Sequence, residues 1–200
     1  EERARLVSSP HIMRGPAAPP APVGLDAFAS HSGANVFSPG VVGGMTDAQL
    51  DQRLASLASA GHQVIRYMSV LGDLREAIER DAQGRPVRLA QAATEQTRRL
   101  LDLAARHGLK VILVLTDFTM ADLVTKEGSQ PVGDFPELIR DPAKRQAFVA
   151  LLQAFVAQFT DRAEVLAWEP MNEPENAAAL TLAEIQAFVS ETASAIRAAD

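Results

Sequence analysis

The residues best suited to chemistry sit together in the stretch "EVLAWEPMNEPE", Glu164 to Glu175. An apolar run ends there in an amide, an acid and a proline: Asn172, Glu173 and Pro174. A carboxylate can give or take a proton, and the amide beside it can both donate to and accept from a hydroxyl. Pro174 stops ladder pairing and stiffens the exit of the strand. Glu169, four residues before Glu173, should point the same way but deeper, where a carboxylate must be paired or protonated. It is expected to bond Arg66 or another polar group and to do no chemistry itself. Trp168 faces oppositely by alternation, toward covering helices. The plain alternative for Glu173 is a solvated, strand-ending turn.

Two further polar residues end apolar runs. Asp117 closes "LKVILVLTDF" and is placed either to touch a substrate or to cap the loop that follows. Asn35, near the end of a first short strand, is a candidate of the same kind. Arg66, inside "HQVIRYMSV", is read as a partner for carboxylates or as an ordinary salt-bridge arginine. His11, His31, His62 and His107 show no metal-ligand spacing, and His107 is read as a helix-end charge. No metal and no cofactor are implied. The chain has no cysteine, which excludes disulfides, thiolate nucleophiles and Cys-ligated zinc. No Gly-x-Ser-x-Gly elbow, Walker A pattern or dinucleotide fingerprint is present.

The elements that must position these groups alternate. "GANVFS" reads as a strand, followed by a helix capped by Thr46, with Leu50, Leu54 and Leu57 on one face and Gly61 at its end. "HQVIRYMSV" is a second strand; a polar stretch with Gly72, Gly84 and Pro86 leads to a helix over about 89–107. The third strand, 109–118, is almost continuously apolar, as a strand covered on both faces should be. Asp141-Pro142 opens a helix carrying Phe148, Leu151, Leu152, Phe155 and Phe159, and "EVLAWEPM" is the fourth strand. Thr181 and Glu184 form a capping box for a last helix. The order β-α-β-α-β-α-β-α implies a parallel sheet, either a small open one or half of an eight-fold barrel.

Composition agrees with a packed α/β domain. Of the 200 residues 47% are hydrophobic, enough for a core. The net charge of -6 argues against general binding to nucleic acid or anionic membrane, and no segment has the apolar length of a membrane span. Residues 1–30, with Pro16, Pro19, Pro20 and Pro22, read as an extended arm or linker without the apolar core of a signal peptide.

"VLAWEPMNEPE" resembles the fourth-strand motif of retaining glycoside hydrolases in the large (β/α)8 clan that includes cellulases and β-mannanases. Its W-E-x-x-N-E-P form is most like family-five mannanase-type sequences. "GHQVIRYM" resembles the second strand, with Arg66 at the position of an active-site arginine. "GLKVILVLTDF" resembles the third, and "RDPAKRQAFVALLQAFVAQF" the helix before the motif.

The resemblance covers 31–200 and implies a TIM-barrel-type (β/α)8 fold of which this chain forms four βα units. It implies that Glu173 is the general acid/base, that Asn172 bonds the sugar 2-hydroxyl, and that Arg66 keeps the nucleophile ionised. The partner would be a β-linked oligo- or polysaccharide, met also by Asp117 and Asn35, in a secreted or periplasmic setting with the cytoplasm as the alternative. The family's nucleophile is a glutamate on the seventh strand, so the resemblance requires the other half of the barrel, in the same or another chain. A non-catalytic half-barrel that binds carbohydrate or serves assembly is the competing reading.

Overall fold

The computed structural model describes residues 33–37, 45–68, 71, 77–121 and 135–200. The expected arm at 1–30 and the "VVGG" stretch at 41–44 lie outside the described residues. In chain order the elements are β1 (Gly33–Phe37), α1 (Asp47–Ser59), β2 (Val64–Met68), β3 (Ile78–Arg80), β4 (Pro86–Leu89) and α2 (Gln91–Arg106). They continue with β5 (Lys110–Asp117), α3 (Glu137–Arg140), α4 (Pro142–Val156), β6 (Val165–Asn172) and α5 (Leu182–Ala199).

β1, β2, β5 and β6 form one parallel sheet in that spatial order. Spatial order follows chain order without reversal, so each βα unit steps in the same direction. A doubly wound sheet would reverse at a switch point and put helices on both faces.

Register across the strands shows which face the helices cover. Val36, Tyr67, Leu113 and Trp168 stand in one row, the first three buried and the Trp168 ring packed edge-on to Phe155 of α4. The adjacent row is Asn35, Arg66, Ile112 and Ala167, and none of these four is buried. One face therefore carries the helices, and the other is the concave side of a barrel wall.

The local signals that hold the helices are short-range. Thr46 closes a capping box with Gln49 at the start of α1, and Leu50 and Leu54 turn inward. Gly61, at φ 87°, takes the left-handed conformation that lets the chain leave α1 and enter β2. Asp141 accepts from the backbone N–H of Ala143 and Lys144, with Pro142 at the first helical position of α4. Phe148 and Phe155 of α4, Phe159 just after it, and Phe188 of α5 are buried in the core, and the rings of Phe148 and Phe188 stack at 5.8 Å. Burial of each such side chain stabilises the fold by roughly 1.5–3 kcal/mol.

One segment corrects the expectation. The helix expected over 89–107 begins only at Gln91, and Leu89 ends a short strand. β3 and β4 form an antiparallel hairpin between the second barrel strand and α2. Its turn is an aspartate device: the Asp81 carboxylate accepts from the backbone of Gln83 and Arg85 and pairs with the Arg85 side chain. The hairpin packs inward through Arg80, whose guanidinium lies 3.7 Å from the centre of the Phe135 ring. Strands of three and four residues are too brief to show alternation, which hid the hairpin behind its Gly and Pro.

Candidate active site

Parallel strands that step in one direction bring their C-terminal ends to one rim. Asp117 and Asn172 are register partners at the last rungs of β5 and β6, and Glu173 follows immediately. Arg66 rises from the concave face of β2. The structure joins Glu169, Arg66, Asn172 and Asp117 in a chain of polar contacts.

Arg66 Nε donates to Glu169 Oε2 at 2.8 Å, and Arg66 Nη2 donates to Glu169 Oε1. Nη2 also donates to Asn172 Oδ1 at 3.0 Å, and Asn172 Nδ2 donates to Asp117 Oδ2 at 2.7 Å. The other Asp117 oxygen, Oδ1, accepts from the Thr119 backbone N–H at 3.0 Å. Asp117 thus does two things at once: it caps the short 3-10 turn Phe118–Ala121 and holds Asn172.

Burial grades along the chain of contacts. The Arg66 and Glu169 side chains are 26% and 31% exposed, and Asn172 is 6% exposed. The Arg66 guanidinium is held above its ordinary pKa. The Glu169 hydrogen bond is the main cause, opposed by partial burial and reinforced by the charges of Glu169, Glu173 and Asp117. Three carboxylates therefore act on one cation at the rim.

Glu173 has the unusual backbone. At φ 46° and ψ 52° it is left-handed, and no other described non-glycine residue has a positive φ. Such a conformation costs on the order of 1–2 kcal/mol in an L-residue and persists where surrounding bonds impose it. Here the Glu173 carbonyl accepts from the Asn176 N–H at 2.9 Å, closing the turn Pro174–Asn176. The carboxylate is exposed, and its Oε2 accepts from Asn176 Nδ2 at 3.0 Å.

The remaining candidates are placed as follows. Asn35 is beside Arg66 in register, exposed on the concave face, in the middle of β1. Trp168 lies on the helix side, against Phe155 and Phe159, with Nε1 donating to Asp200 Oδ2 at 3.2 Å. His107, after the last turn of α2, contacts Asp51 of α1 through Nε2 at 2.9 Å. Sequence reasoning passed over Asn176 and Thr119. The signal for Asn176 was its spacing, three residues after Glu173 across a proline turn.

A one-directional parallel sheet with helices on one face, and with carboxylates, an amide and a guanidinium at its C-terminal rim, has the architecture of a (β/α)8-barrel enzyme. Residues 21–200 match the family Cellulase (glycosyl hydrolase family 5), and the chain belongs to it.

Solved structures agree on the fold. An exo-β-1,4-mannosidase from Opitutaceae bacterium strain TAV5 aligns with TM-score 0.60 and 18% identity, over 84% of this chain and 30% of that one. An endo-1,4-β-mannanase from Eisenia fetida aligns with TM-score 0.53 and 23% identity, over 64% and 34%. An endoglucanase from Thermotoga maritima gives 0.51 and 18%, over 75% and 41%. The chain thus spans less than half the length of each. No curated protein matches. No helix among the described residues is long and apolar enough to cross a membrane.

Proposed function

We propose that this chain is the acid/base half of a retaining β-glycoside hydrolase of the endo-β-mannanase or endoglucanase kind. Residues 31–200 belong to the first half of its barrel. The observation that carries the reading is the placement of Glu173, one residue past the fourth parallel strand in a family-five chain, beside the Arg66–Asn172–Asp117 contacts. In this reaction Glu173 protonates the departing glycosidic oxygen while a second carboxylate, about 5–5.5 Å away, bonds the anomeric carbon. Glu173 then takes a proton from the water that releases the sugar. Asn172 orients the 2-hydroxyl. Arg66, fixed by Glu169, presents positive charge to the nucleophile, which a later strand supplies. Asp117 and Asn35 border the sugar-binding cleft.

The mannanase and endoglucanase neighbours support a β-linked oligo- or polysaccharide as the substrate. The test is Glu173→Ala in the complete enzyme. Turnover of an unactivated β-linked oligosaccharide should fall by about 10²–10⁴-fold. Azide should restore part of the activity on an activated aryl β-glycoside, giving the β-glycosyl azide. Undiminished turnover of the oligosaccharide refutes the assignment.

A further inference from the structure

We propose that Asn176 is a positioning residue that decides which oxygen of Glu173 carries the proton; this rests on the acid/base reading of Glu173. The turn after β6 grips Glu173 twice with one residue. Asn176 N–H donates to the Glu173 carbonyl at 2.9 Å, and Asn176 Nδ2 donates to Glu173 Oε2 at 3.0 Å. Pro174 fixes φ inside this turn, and Glu173 enters it with a left-handed backbone. The side chain is exposed, so neighbouring packing does little to hold its rotamer. Among the described residues Asn176 is the hydrogen-bond partner of that carboxylate.

An amide N–H needs an acceptor. The ionised carboxylate offers two acceptor oxygens, whereas the protonated acid offers only its carbonyl oxygen and what remains on the hydroxyl. The Asn176 bond therefore keeps its better acceptor in both states when the proton resides on Oε1. With Oε2 occupied, Oε1–H is the group presented to the substrate. In the first step the Oε1–H bond breaks and a new O–H bond forms at the glycosidic oxygen. That oxygen keeps the electron pair of its broken bond to the anomeric carbon, and the second carboxylate supplies the pair for the new one. In the second step Oε1 takes its proton back from water, whose oxygen bonds the anomeric carbon as the bond to the second carboxylate breaks, while Asn176 holds Oε2 throughout. One bond thus serves both half-reactions.

The consequence separates substrates by leaving group. A poor leaving group, such as a sugar hydroxyl, needs the proton as the bond breaks, and a dinitrophenolate does not. In the complete enzyme, Asn176→Ala should lower kcat on an unactivated β-linked oligosaccharide by about ten- to a hundredfold, the size expected for losing a hydrogen bond to an ionised group. The rate of the first step on a 2,4-dinitrophenyl β-glycoside, read by the phenolate burst, should change less than about threefold. The isostere Asn176→Asp, which accepts where the amide donates, should show the same selective loss, whereas Asn176→His, which keeps a donor, should recover part of it. Equal losses on both substrates, or no loss on the oligosaccharide, overturn the inference. The parent reading is tested apart from it: if Glu173→Ala abolishes oligosaccharide turnover while Asn176→Ala leaves it intact, only the role of Asn176 fails.

Discussion

Removing the Glu169 carboxylate should cost more than an ordinary ion pair is worth, because Arg66 has been drawn part-way out of water to meet it. The two residues exchange a forked pair of bonds, Nε to Oε2 at 2.8 Å and Nη2 to Oε1, with side chains 26% and 31% exposed. Fully exposed pairs couple by about 0.2–1 kcal/mol. Breaking a fully buried pair costs about 3–5 kcal/mol. Cover of this degree, with good fork geometry, places the coupling near 2 kcal/mol between those limits. Glu169→Gln keeps the shape and one acceptor and removes the charge, while Arg66→Met keeps most of the stem. Each single variant should lose about 2 kcal/mol, and the double variant clearly less than the sum.

Urea denaturation of the four proteins near pH 7 reads the cycle. The pH response follows from the raised pKa of Arg66, caused first by its hydrogen bond to Glu169. A cation whose folded pKa lies above its unfolded value contributes stability that is fully present below the unfolded pKa. That stability is lost only as pH rises through the folded one, far into alkali. The coupling should therefore be unchanged when the cycle is repeated at about pH 9. A coupling below about 0.5 kcal/mol, or one that fades between neutrality and pH 9, would show that the pair behaves as a surface contact and refute the reasoning.

Other outcomes follow from the packing and the caps. Phe148→Ala should lower stability by about 3–5 kcal/mol in the same denaturation assay, because the residue is fully buried and stacked on Phe188; a loss below about 1 kcal/mol would mean the α4–α5 contact is loose. Thr181→Ala should cost about 1 kcal/mol by opening the capping box of α5. The same box holds the Glu184 carboxyl below its usual range, chiefly through the Thr181 backbone N–H. Its stabilisation is therefore present above the unfolded carboxylate pKa and fades as pH falls through the depressed folded value. Thr181→Ala removes the hydroxyl's share of this effect and should destabilise less in mild acid than at neutrality, and an equal loss at both would remove the hydroxyl–Glu184 bond from the account.

What the sequence revealed was set by short-range rules. Thr46, Asp141 and Thr181 act within three residues of themselves, so their caps were readable. The strand "LKVILVLTDF" announced itself by continuous apolarity, and the motif ending at Glu173 carried its own family resemblance. The β3–β4 hairpin was hidden because its strands are too short for a period. The neighbours of Asn172 were hidden for another reason. Arg66 lies 106 residues away and Asp117 lies 55 away, and only the closed register of the sheet makes them adjacent. Counting alternation from Trp168 would even have put Asn172 on the helix side. Its hydrogen bonds instead join it to Arg66 and Asp117.

Those partners also settle how Asn172 is oriented. Arginine can only donate and an ionised carboxylate can only accept, so the Arg66 bond must fall on Oδ1 and the Asp117 bond on Nδ2. The amide is fixed with no freedom to flip. Each end has spent one of its two hydrogen-bonding positions, leaving one lone pair and one N–H. A hydroxyl, which both donates and accepts, is the kind of group that could use both, and under the proposed mechanism the sugar 2-hydroxyl does so. The 6% exposure of Asn172 leaves little of the residue open to that approach. An aspartate there would put another carboxylate against Asp117 and remove the N–H that Asp117 needs. The amide at this position is thus required by the two charges on either side of it, before any substrate arrives.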